Sequence, residues 1–173
     1  QTKRVAQFFP ERMQGKIAIL PNPIVSPKKI AAPGVSGPDG RYRVIGVGRL
    51  ERQKGFDRLI DAFAQVAERH PLWDLHLFGE GSQRAALSNQ VASYRLANRV
   101  RLAGVTASIH EELAKAHIFA FPSRYEGFPN ALGEAMRSGL PTIGYANVSG
   151  VEEMIVHGIT GHLLPVDGGA VSL

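Results

Sequence analysis

The chain has 173 residues, with 20 Lys and Arg against 15 Asp and Glu, a net charge of +5, an isoelectric point near 9.8 and no cysteine. That length fits one domain with a sheet and flanking helices. Without thiols there are no disulfides, thiolate nucleophiles or zinc–thiolate centres, and no apolar run approaches the ~20 residues needed to span a bilayer. The basic balance favours anionic partners but does not choose among phosphates, nucleic acid and lipid headgroups.

In chain order, residues 1–15 hold VAQFF and a polar turn, and KIAIL (16–20) is an apolar run of strand length that stops at Pro21-Asn22-Pro23. Residues 26–40 are rich in Pro, Gly, Ser and Lys and read as a connector. An alternation of strands and helices follows. RVIGVG (43–48) is a buried strand, and Phe56, Leu59, Ile60, Phe63, Val66 and Ala67 recur at helical spacing as far as His70-Pro71. DLHLFG is a second strand. SQRAALSNQVASYRL is a helix capped by Ser82 with Leu87, Val91 and Tyr94 on one side, and RVRLAG is a third strand. Ile109, Leu113 and Ala116 mark a short helix, IFAFPS a fourth strand, Asn130 to Arg137 a helix and PTIGY a fifth strand, with VEEMIV and HLLP completing the series.

Such an alternation predicts a doubly wound, mostly parallel α/β sheet of Rossmann type with helices on both faces, because parallel neighbours need crossover connections. In that architecture ligands bind outside the carboxyl ends of the strands, where GRLERQKG, FGEGS and SRYEGFPN all fall. The expected division is a lead-in and linker over 1–40 and a Rossmann-like ligand-binding domain over 41–173. The ends, Gln1 and GGAVSL, read as those of a portion of a longer chain.

Several familiar motifs fail. GVGRLE places Glu51 where a dinucleotide fingerprint needs its third glycine, and no hydroxyl residue follows Lys54-Gly55 as a Walker loop requires. His110-Glu111-Glu112 is followed by Ala114 where a zinc helix needs its second His, and there is no Asp-x-Asp pair for a magnesium–nucleotide complex. Arg49 and Lys54 remain on the first strand-end loop: a planar fork and a mobile point charge that could grip a diphosphate, or two solvated loop cations. EGFPNALGE brackets a turn with Glu126 and Glu134. In one continuous helix the two acids would lie about 80° and about 12 Å apart. Pro129 instead suggests that Glu126 sits in a loop, that Glu134 lies more than a turn into the next helix, and that free helix-start N–H groups between them face an anion. A plain turn and a surface acid would explain the same residues.

Taken in this order, VGRLERQKGFDRLIDAF, LFGEGSQRAAL, RVRLAG, FPSRYEGFPNALGEAM, GLPTIGY and GVEEMIVHGITGHLLP resemble the C-terminal, donor-binding half of retaining GT-B glycosyltransferases. The resemblance covers Lys16 to Val166, and Glu126 and Glu134 match the family's E-x7-E spacing. It implies that Arg49, Lys54 and Glu126 form the catalytic set. Arg49 and Lys54 would hold the diphosphate of a nucleoside-diphosphate sugar, Glu126 the hydroxyls of the transferred sugar and Glu134 those of the ribose. Backbone N–H groups of Phe128, Asn130, Ala131 and Leu132 would face phosphates and sugar, and Gly79, Gly81, Leu102 and Ala103 would line the donor site. It also implies no metal or other cofactor, no nucleic-acid partner, and a glycan or lipid-linked acceptor held by a missing N-terminal domain, so that this portion alone transfers nothing. UDP or GDP binding, polysaccharide synthesis and a cytoplasmic enzyme touching the inner membrane face are family expectations. His117 and Glu152 depart from residues frequent in the family, Asp and Pro. The alternatives are a GT-B-type nucleotide-sugar epimerase and a non-catalytic basic α/β anion-binding module.

Overall fold

The computed structural model describes residues 6–7, 9–20 and 22–165. A one-turn helix, α1 (Glu11–Gln14), precedes the main body. That body runs β1 (Tyr42–Val47), α2 (Phe56–Ala67), β2 (Trp73–Phe78), α3 (Arg84–Ser93), β3 (Val100–Gly104), α4 (Ile109–Ala114), β4 (Ile118–Phe121), α5 (Asn130–Arg137), β5 (Thr142–Tyr145), α6 (Val151–Met154) and β6 (Gly161–Leu164). The six strands form one sheet in the order β3-β2-β1-β4-β5-β6, and every pairing between them is parallel.

Alternation along the strands divides the apolar residues between two cores. On one face Leu75, Leu77 and Ala120 meet Phe56, Leu59, Ile60 and Phe63 of α2 and Leu87 and Val91 of α3. On the other, Ile45, Phe78, Phe119 and Phe121 meet Leu113, Leu132, Ala135 and Val151 from α4, α5 and α6. The expected helices on both faces are therefore present. No helix among the described residues is long and apolar enough to cross a membrane.

Two features that local sequence left open are decided by what lies beside them. KIAIL is not a strand: residues 17–20 have no regular structure, Leu20 is 74% exposed, and the run lies in none of the strand pairings. Strand propensity needs a neighbouring ladder to act on. The segment after it does not hang free. Asn22 donates its amide to the Asn130 Oδ1 (2.9 Å), Arg137 reaches the hydroxyl of Ser26, and the Ala31 N–H binds the Ser138 carbonyl at 2.8 Å, so the lead-in lies along α5. His117 is a packed residue, only 3% exposed. Its Nδ1 accepts the Arg43 N–H, and its Nε2 meets the Val35 carbonyl, each at 2.9 Å. The partners fix the neutral tautomer.

Candidate functional site

Strand order reverses between β1 and β4, which leave the centre of the sheet in opposite directions, and the crevice beyond their carboxyl ends is the expected ligand position. After β1 the chain makes a 3₁₀ turn over Arg52–Lys54 and enters α2 through Gly55, whose φ is +70°. Glycine is needed there twice over. The left-handed conformation disfavours a Cβ, and a Cβ at this position would lie 2.1 Å from the Pro122 carbonyl oxygen. The first loop can thus press against the loop after β4.

That contact brings Lys54 and Glu126 together. Lys54 Nζ lies 2.6 Å from Glu126 Oε1, with the two side chains only 16% and 6% exposed, and the ammonium stands 5.4 Å from the centre of the Phe121 ring. The loops are also clasped beside the pair. Arg124 makes a two-pronged ion pair with Asp57 (2.8 and 2.6 Å), and its Nη1 donates to the Arg52 carbonyl at 2.7 Å. Its backbone N–H binds the Gln53 carbonyl at 2.8 Å, while the Gln53 amide donates to the Tyr125 carbonyl at 2.9 Å. Arg49 is exposed, with a long 3.4 Å contact to Gln53 Oε1. Both cations and Glu126 therefore lie on two loops that touch beyond the carboxyl ends of β1 and β4.

The β2 loop packs against the first. A Cβ on Gly79 would lie 1.9 Å from the Gly48 carbonyl oxygen, and one on Gly81 would lie 2.5 Å from that of Leu50. Their bare faces meet protein backbone. Ser82 is not a helix cap, as the sequence suggested: α3 starts after Gln83, and the Ser82 N–H and Oγ both bind the Glu51 carboxylate, at 2.9 and 2.7 Å. These bonds hold Glu51 below its ordinary value, the backbone bond contributing most. Leu102 and Ala103 lie at the end of β3, half-buried, and the Leu102 carbonyl accepts from Arg84 at 3.1 Å.

The α5 start differs from the expected row of four open amides. Pro129, at φ −84° and ψ 73°, sits in an inverse γ-turn. The Asn130 N–H is folded back on the Phe128 carbonyl and the Leu132 N–H on that of Pro129, each at 3.0 Å. Among the described residues the Phe128 and Ala131 N–H groups have no acceptor. Glu134 is half-buried on the second turn, and its carboxylate has no partner among the described residues. Sequence reading missed Asp57, Arg124, Gln53 and Glu51, although Arg124 lies inside the stretch that drew attention to Glu126. A bidentate partner for Arg124 was not visible from sequence because Asp57 lies 67 residues away.

The family model described as glycosyl transferases group 1 matches residues 29–168. Among curated relatives, an exopolysaccharide phosphotransferase of Streptomyces coelicolor is 39% identical over 68% of this chain and 12% of its own length. The amylovoran biosynthesis glycosyltransferase AmsD of Erwinia amylovora is 34% identical over 65% of this chain and 32% of its own. The chain thus spans no more than about a third of either. Among solved structures, Anabaena HepE in complex with UDP and glucose is 29% identical with a TM-score of 0.69, over 76% of this chain and 36% of that one.

Proposed function

The chain belongs to the glycosyl transferases group 1 family, and on that premise we propose that it is the donor-binding part of a retaining glycosyltransferase. The whole protein takes a nucleoside-diphosphate sugar, of which a UDP-sugar is the form suggested by the HepE complex, and transfers the sugar to a glycan or lipid-linked acceptor. The observation that carries this reading is the convergence of Lys54, Glu126 and exposed Arg49 at the point where strand order reverses, beside the open Phe128 and Ala131 amides.

Transfer breaks the sugar C1–O bond, leaving positive charge on the ring and negative charge on the departing diphosphate. Arg49, Lys54 and the two amides would stabilise that negative charge, the usual route to a large rate effect. Glu126 accepts from hydroxyls of the sugar and Glu134 from those of the ribose, so each acid serves a diol while the anion lies between them. Lys54 must leave Glu126 to meet the diphosphate. Retention of anomeric configuration then follows from attack on the face that the diphosphate leaves, with that leaving group taking the acceptor's proton.

Calorimetric titration of the chain with UDP and GDP tests the site. Lys54→Gln keeps a hydrogen-bond donor for the Glu126 carboxylate while removing the charge. It should weaken the preferred nucleotide about 10-fold to 100-fold, the worth of one charge-assisted bond, and Glu134→Ala should weaken it about 10-fold. If both variants bind like the parent, the site is misassigned.

A further inference from the structure

Lys54 and Glu126 are separated by 72 residues and come from different loops, so something must hold those loops in register before the ion pair or a ligand can form there. Resting on the proposed diphosphate site, we infer that Arg124 is the positioning residue that aims Lys54 into it. The Arg124 guanidinium binds on both sides of Lys54 in the chain, to the Arg52 carbonyl that opens the 3₁₀ turn and to the Asp57 carboxylate in the first turn of α2. Its N–H adds a bond to Gln53, immediately before Lys54. The turn carrying Lys54 is therefore clamped at both ends by one side chain from the β4 loop. Arg124 binds neither Lys54 nor Glu126 in the described contacts, so its effect on the pair passes through the backbone it holds.

Only a planar fork serves this purpose. Two donors match the two carboxylate oxygens of Asp57 while Nη1 also reaches a carbonyl, a geometry that a lysine ammonium lacks. Burial alone would push the Asp57 carboxyl up, yet the pairing with Arg124 outweighs it and holds the group below its ordinary value.

The test is a double-mutant cycle on the 173-residue chain, read by calorimetry with UDP, uridine and inorganic pyrophosphate beside thermal melting. Positioning predicts that Arg124→Lys weakens UDP and pyrophosphate about 10-fold, leaves uridine unchanged, and adds no further loss in a Lys54→Gln background. Equal losses for uridine and UDP with a lowered melting temperature would mean a merely structural role and overturn the inference. Losses that add to those of Lys54→Gln would mean direct phosphate contact and also overturn it. Asp57→Asn, which keeps the shape of the partner, should reproduce the UDP-selective loss and takes the place of Arg124→Lys if that variant does not fold. A weakened Lys54→Gln with unchanged Arg124→Lys and Asp57→Asn sinks this inference alone, whereas an unchanged Lys54→Gln sinks the diphosphate site and this inference together.

Discussion

The Glu126 side chain is only 6% exposed, and Lys54 is its partner at 2.6 Å. A pair so far removed from water is costly to break one-sidedly, because the stranded charge keeps its desolvation penalty. In the proposed reaction the incoming diphosphate supplies the replacement partner, so the free energy holding Lys54 on Glu126 is subtracted from nucleotide affinity. This gives an unusual sign. Glu126→Gln should bind UDP about 3-fold to 10-fold more tightly than the parent by calorimetry, since a neutral amide holds Lys54 less strongly and no longer repels the phosphates. In the complete enzyme the same change should lower the transfer rate. Weaker UDP binding by Glu126→Gln would mean that the carboxylate helps to bind the nucleotide directly.

At the scale of the element, what was legible from sequence was what neighbours in sequence decide. The helical spacing of Phe56, Leu59, Ile60 and Phe63 depends on residues three and four apart, and those side chains are buried on α2 as expected. The bounds of α5, Asn130 to Arg137, also followed from Pro129 and the apolar pattern. Ser82 was misread because Glu51, 31 residues away, takes both of its polar groups. The Asn130 and Leu132 amides were misread because the turn at Pro129 supplies carbonyls within hydrogen-bond reach. KIAIL has strand composition but no strand beside it. The Ser82–Glu51 tie has a measurable signature. Glu51 titrates below its ordinary 4.5 because two bonds favour the carboxylate, so the tie is present above 4.5 and is lost as pH falls through the depressed value. Ser82→Ala removes the hydroxyl bond and leaves the N–H bond. NMR titration of the Glu51 side-chain carboxyl should therefore show its pKa moving part of the way up. A hydroxyl serving only to cap α3 would leave it unmoved.

Across the whole molecule, the sheet order decides which loops can cooperate. With β1 and β4 adjacent at the centre, the loop bearing Arg49 and Lys54 lies against the loop bearing Glu126. The placement of β2 next to β1 lets Leu50 and Glu51 hydrogen-bond with the Glu80–Ser82 turn. α5 follows the loop bearing Glu126, and the lead-in along its flank ties Asn22 to the first residue of the helix. The net charge of +5 suggested an anionic partner of some kind, and in the proposed reading Arg49 and Lys54 are the cations that meet it. The most direct measurement is a crystal structure of this chain grown with UDP. It should show the diphosphate between Arg49, Lys54 and the Phe128 and Ala131 N–H groups, with Lys54 drawn away from Glu126. A diphosphate bound elsewhere, with the Lys54–Glu126 pair still closed, would contradict the account.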